Sequence, residues 1–173
     1  MKMVRNGRAL LQTPPIKNML ETKERHNGVS HGLAEVGYDI RLKQNVHFEP
    51  KCQLNDGPSI VTVDGVVEEG RFCIASTIEE FHMPDDLYGV VHDKSTWARH
   101  GLSVFNTVIE PGWRGFLTLE LVLHSCKDLF IPAGTGIAQV IFHELTCPAS
   151  YVGKYQDQAD RPIEPLMDPQ PDN

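Results

Sequence analysis

The sequence predicts a mainly β domain, a barrel or sandwich with short accessory helices. Three observations carry this: apolar residues alternate with period two along most of the chain, the alternating runs are short, and Gly and Pro turns separate them. With 173 residues, 40% of them hydrophobic, the chain has material for one buried core but too little for two ordinary domains.

The elements follow in chain order. Pro14-Pro15 opens a short predicted helix over Ile16–Glu24, since proline suits the first helical position. Strands are predicted at Tyr38–Leu42, Ser59–Val63, Arg71–Thr77, Leu87–His92, Phe116–His124 and Gly136–His143. Asp64-Gly65 lies between the runs SIVTV and VVEEG, which marks a hairpin because glycine accepts positive φ. A second helix is predicted over Ser95–His100, stopping at Gly101. The tail from Arg161 to Asn173 carries four prolines and little apolar material, so it is expected to be extended or disordered until something holds it.

Charge narrows the function classes. Sixteen Lys plus Arg against 23 Asp plus Glu give a formal charge of −7, which argues against broad contact with nucleic acid. An anionic ligand must meet a local cationic pocket. No run of about 18 apolar residues occurs, and the opening MKMVRNGRALLQ lacks the apolar stretch of a secretory signal, so a soluble, cytoplasmic protein away from membranes is expected. Cys52, Cys73, Cys126 and Cys147 form no C-x-x-C pair and are expected to be reduced thiols.

Candidate chemistry concentrates between His92 and His124. Ser95 and Arg99 stand one helical turn apart on one face, an arrangement that suits a phosphate: a hydroxyl donor beside a planar guanidinium fork. Spacing alone equally allows Ser95 as a helix cap and Arg99 in water. In the strand Phe116–His124, alternation puts Leu117, Leu119, Leu121 and Leu123 on one face and Phe116, Thr118, Glu120, Val122 and His124 on the other. Glu120 is thus a mid-strand carboxylate. Shielded from water it would become more basic and suit proton transfer; otherwise it is an exposed strand acid. Glu110-Pro111-Gly112-Trp113 forms a turn into that strand and offers a second carboxylate, for a water or a magnesium ion, or as a simple turn acid. Two apparent zinc motifs fail. His47-Phe48-Glu49 with Pro50-Lys51-Cys52 lacks a C-x-x-C ligand pair, and His143-Glu144 meets Cys147 where H-E-x-x-H needs histidine, so no zinc site is expected.

Five segments in register, GYDIRL, KSTWARHGL, IEPGWRG followed by LTLEL, AGTGIAQVIF and YVGKYQDQ, resemble the dCTP deaminase branch of the dCTP deaminase and dUTPase superfamily. The similarity runs from about Gly32 to Gln158. It implies a distorted jelly-roll or β-barrel of the dUTPase-like, β-clip kind, assembled as a homotrimer with active sites at subunit interfaces. It also implies an N-terminal arm over residues 1–31, a catalytic core over 32–147, and a segment over 148–173 that closes on the triphosphate. Deamination would be independent of zinc, with magnesium arriving with the triphosphate.

Carried over by position, Glu120 matches the glutamate that activates the water attacking C4 of cytosine, and Ser95 and Arg99 match phosphate contacts that organise the site. Glu110 stands where an aspartate near the sugar is usual, and Trp113 matches a bulky residue at the deoxyribose. Gln139, Tyr151, Lys154 and Gln158 match nucleotide-binding positions, and Lys94, Thr96, Asn106, Thr107 and Val108 join them as substrate contacts. The stretch HGLSVFNTVI is about two residues shorter than in typical bacterial members and lacks an arginine before I-E-P-G, which leaves base choice among cytosine, a 5-substituted cytosine and other phosphorylation states open. The expected activity is dCTP to dUTP plus ammonia. The alternatives are a bifunctional enzyme ending at dUMP and pyrophosphate, dUTPase activity alone, and a non-catalytic trimeric nucleotide-binding module. Against dUTPase alone, GKYQDQ replaces the Gly-rich C-terminal phosphate motif.

Overall fold

A computed structural model of the chain describes residues 3–53 and 56–167. The elements are β1 (Val4–Arg5), α1 (Arg8–Gln12), β2 (Lys23–His26), β3 (Val29–Leu33), β4 (Tyr38–Arg41), β5 (Val46–Glu49), β6 (Ile60–Val63), β7 (Val66–Glu69), β8 (Phe72–His82), β9 (Leu87–Asp93), α2 (Ser95–Ala98), β10 (Leu102–Val104), β11 (Val108–Ile109), β12 (Arg114–Leu123), β13 (Leu129–Ile131) and β14 (Gly136–Glu144). They form a jelly-roll-like fold of three sheets. The largest runs β11-β9-β14-β4-β3-β2, with β1 also on β14; a second runs β10-β12-β8; a third runs β13-β5-β6-β7. All strand pairs are antiparallel. The expected mainly β, jelly-roll-like class holds, but the sheets remain open instead of closing into a barrel.

One core fills the space between the sheets. It takes Tyr38 and Ile40 from β4, Cys73 and Ala75 from β8, Leu119, Leu121 and Leu123 from β12, and Val140 and Phe142 from β14. The leucines alternate inward as β geometry requires, and Leu121 and Leu123 are fully buried. Truncating either to alanine is worth about 2–5 kcal/mol.

The predicted hairpin forms. Val63 pairs with Val66, and Asp64 and Gly65 between them have φ of 45° and 85°, the two left-handed residues of a tight hairpin turn. The other predicted strands are present, and β8 runs on to His82 past an irregularity in its pairing with β12 between Phe116 and Thr118.

Three expectations need correction. No helix spans Ile16–Glu24. Ile16 is 1% exposed and bridges to Phe81, Lys17 N–H donates to Glu80 O at 2.8 Å, Asn18 is left-handed, and Lys23–His26 is β2. Tertiary pairing wins over local propensity there. The arm expected over 1–31 enters the largest sheet through β1, β2 and the start of β3. Second, α2 ends sooner than predicted, with Arg99 as its C-cap. Third, Cys52 and Cys126 form a disulfide, their Cα atoms 5.9 Å apart and 74 residues apart in sequence, while Cys73 and Cys147 are free. The turn after β12 and the loop after β5 meet only in the folded chain, so no sequence spacing announces the pair.

Residues 161–167 of the tail have no regular secondary structure but are held: Ile163 N–H donates to Thr118 Oγ1 and Leu166 N–H to the Tyr155 hydroxyl, both at 3.0 Å. The rest of the tail lies outside the described residues. Among the described residues no helix is long and apolar enough to cross a membrane.

The cross-link gives a direct prediction. Alkylation of the denatured, unreduced protein should label two thiols by mass, and Cys52→Ser should lower unfolding stability by about 4 kcal/mol, the loop-closure value for a span of this length. Four labelled thiols would contradict the pairing.

Candidate active site

The alternation that buries the leucines of β12 turns Glu120 outward onto a pocket of about 500 Å³. Thr118 and Leu117 of β12 share its lining, and Ile74 and Phe72 line it from β8. In the register of the two strands Ile74 stands directly opposite Glu120 and Phe72 opposite Val122. On the other side of β12, Phe105 N–H donates to Glu120 O at 3.0 Å, which carries the chain past β12 into Thr107 and Val108 at the pocket rim. Glu110 and Trp113 complete this wall.

Trp113 is fixed from both sides. Its ring packs against Phe81 with centroids 6.0 Å apart, and its Nε1 donates to Tyr155 O at 2.6 Å. The second bond belongs to a strap formed by the C-terminal segment. Tyr151 N–H donates to Pro111 O at 2.8 Å, Asp157 N–H to Arg114 O at 2.9 Å, and Phe116 N–H to Gln158 O at 3.2 Å. Gly115 lets this strap dock: its φ is 131°, and a Cβ there would sit 2.5 Å from Gln158 N. Tyr151, Tyr155, Gln158, Ile163 and Glu164 thereby line the pocket. Gln158 Oε1 is buried without a hydrogen-bond partner, an acceptor available to a hydroxyl or N–H of a ligand.

Burial raises the Glu120 pKa from its ordinary value; its own backbone N–H and the Thr107 hydroxyl pull the other way. Such a carboxyl is suited to taking and returning a proton. The lining contains four carboxylates, Glu68, Glu110, Glu120 and Glu164, and no Lys or Arg among the described residues. No group of three or more His, Cys, Asp or Glu among the described residues is placed to hold a metal ion.

Of the residues singled out from sequence, the structure brings Glu120, Thr107, Val108, Glu110, Trp113, Tyr151 and Gln158 to one pocket. It places the others elsewhere on this chain. Ser95, Thr96 and Arg99 are exposed on and just after α2, whose inner face is held by Trp97 Nε1 donating to Gly136 O at 2.7 Å. Ser95 does not cap the helix, whose N-cap is Lys94 with no side-chain bond. Lys94 points inward, ion-paired with Asp39 and donating to Ser30 Oγ at 3.1 Å. Asn106 is exposed beside the pocket rim. Gln139 on β14 donates to Val36 O at 2.9 Å, and Lys154 lies over the Tyr155 ring. Phe72, Ile74, Tyr155, Ile163 and Glu164 are lining residues that the sequence did not single out. Thr118 was legible only as a face-mate of Glu120, two residues away on one strand.

A family model described as dCTP deaminase-like matches residues 11–145. The chain belongs to the dCTP deaminase-like family. It is 37% identical over 145 residues to a dCTP deaminase of Chlamydia trachomatis serovar D, covering 75% of this chain and 76% of that one. It is 38% identical over 149 residues to a dCTP deaminase of Campylobacter fetus subsp. fetus, covering 75% and 78%. The crystal structure of 2'-deoxycytidine 5'-triphosphate deaminase from Agrobacterium tumefaciens superposes with a TM-score of 0.56 at 15% identity over 83% of this chain, a likeness of fold. This chain spans 48% of that one.

The raised carboxyl fixes a pH dependence. A carboxyl whose folded pKa lies above its unfolded value is protonated more in the folded state, so stability falls as pH rises from the unfolded to the folded value. Glu120→Gln should therefore raise the melting temperature at pH 7, and the gain should vanish below the ordinary glutamate pKa. A melting temperature at pH 7 equal to or below wild type would contradict the burial of the charge.

Proposed function

We propose that the protein is a hydrolase that deaminates a deoxycytidine nucleotide, dCTP plus water giving dUTP plus ammonia. The observation that carries this is Glu120, a half-buried carboxyl of raised pKa that lines a pocket of about 500 Å³ in a chain of this family. Glu120 takes a proton from the water that adds to C4 and passes it to N3, then moves the proton of the new C4 hydroxyl to the amine, so that ammonia leaves and the carbonyl forms. Trp113 supports the sugar, and Tyr151, Lys154 and Gln158 on the strap face the phosphates. The segment over 148–173 acts as the closing element.

Electrostatics make the site a shared one. A pocket lined by four carboxylates and, among the described residues, by no Lys or Arg does not by itself hold a triphosphate. Ser95 and Arg99, exposed on α2 and outside the pocket lining, supply the missing donors from a neighbouring copy in a homotrimer. Magnesium is part of the substrate here, carried on phosphate oxygens, and zinc takes no part in the scheme.

Glu110 favours a second reading. Its carboxylate lines the pocket beside Trp113, where it is placed to orient water toward the α-phosphate and extend the reaction to dUMP and pyrophosphate. Product analysis separates the two: dUTP accumulating from dCTP means deamination alone, and pyrophosphate release means both steps.

Glu120→Gln should retain nucleotide binding and lose turnover by at least about a hundredfold, measured as ammonia release from dCTP. Near-normal turnover would remove the assignment. Glu120→Gln and Arg99→Ala proteins, each inactive alone, should regain part of the activity when unfolded and refolded together, since mixed trimers contain sites with both residues intact. Absence of any recovery would place Arg99 and Glu120 in sites of one and the same chain.

A further inference from the structure

The surroundings of Glu120 bear on which substituents the cytosine of the proposed substrate can carry. Opposite Glu120 on β8 stands Ile74, and one pair further along stands Phe72, opposite Val122. Phe72 reaches across β12 to Phe105, ring centroids 6.2 Å apart. Beyond the carboxyl, β8 presents Phe72 and Ile74 to the cavity as apolar lining, Glu68 of β7 lines it as well, and Val122 and Phe105 adjoin Phe72 outside the lining. The rim on the other side is polar: Thr107 brings a hydroxyl to the lining, and Asn106 and Val108 are exposed.

A cytosine presented with C4 at Glu120 has two unlike edges beside that carbon. N3 is a hydrogen-bond acceptor and needs a donor, whereas C5 bears only hydrogen and gains nothing from a polar neighbour. The polar rim takes the N3 edge, which turns C5 toward Ile74 and Phe72. Phe72 is 48% exposed and Phe105 50% exposed, so in this chain the wall is not packed closed, and the cavity of about 500 Å³ leaves room against it.

Resting on the proposed deaminase activity, we infer that the site accepts deoxycytidine nucleotides carrying an apolar substituent at C5, with Ile74 and Phe72 as the residues that receive it. A methyl group moved from water onto this wall favours the substituted substrate by about fourfold in kcat/KM, the worth of one buried methylene.

The test measures ammonia release from dCTP and from 5-methyl-dCTP under identical conditions. Expected is a kcat/KM ratio of about fourfold in favour of 5-methyl-dCTP, falling toward unity in Ile74→Ala and Phe72→Ala. Should Ile74→Ala fail to fold, Ile74→Thr keeps the branched shape while making the wall polar, and the same fall in the ratio is expected. Turnover of dCTP with a ratio of one or less overturns the inference and leaves the deaminase reading standing. A wild-type ratio retained in folded wall variants overturns the assignment of Ile74 and Phe72. Turnover of neither nucleotide overturns the deaminase reading, and the inference with it.

Discussion

The pairing of β8 with β12 is the constraint on which the site depends. Leu119, Leu121 and Leu123 pack into the core from one face of β12, and the strict two-residue period then leaves Glu120 on the other face. A slip of one residue would drive the carboxylate into the core and the leucines into water. The core thus fixes the register, and the register puts Ile74 opposite Glu120. The same pairing explains the raised pKa: neighbours on that face withhold water from the charge, and only a backbone amide and the Thr107 hydroxyl offset the loss.

A second layer of organisation comes from the C-terminal strap. It has no regular secondary structure, yet it is bonded to Pro111, Arg114, Phe116 and Thr118 and reaches the pocket through Tyr155, Gln158 and Ile163. Its docking needs a residue without a side chain at position 115. Trp113 is shared between core and strap, which couples the position of this pocket wall to that of the C-terminal segment. In the proposed reaction the acidic lining is balanced by cationic groups brought from outside the pocket, by the strap and by a neighbouring copy.

Much of this was legible in the residues themselves. The alternation in FLTLELVLH defines the strand and its two faces, Asp64-Gly65 defines a hairpin, and the segments shared with the family single out Glu120, Trp113 and Gln158, which line one pocket. What stayed hidden has a common physical origin in contacts between distant parts of the chain. Ile16–Glu24 has a local helical pattern, yet Ile16 is taken up by pairing with Phe81. Cys52 and Cys126 meet because two loops are folded together, and nothing near either cysteine signals the other. Ile74 and Phe72 belong to the site through cross-strand register, which one sequence does not display. The strap lacks periodicity because its bonds run to other segments and not within itself.

The central claim is that Glu120 is a proton-carrying carboxyl held in a water-poor pocket. A carbon-13 NMR titration of its side-chain carboxyl in the folded protein, assigned by loss of the signal in Glu120→Gln, tests it most directly. The account predicts a midpoint above that of a glutamate in a short unfolded peptide measured in the same buffer. A midpoint at or below the peptide value would show a solvated strand acid and contradict the account.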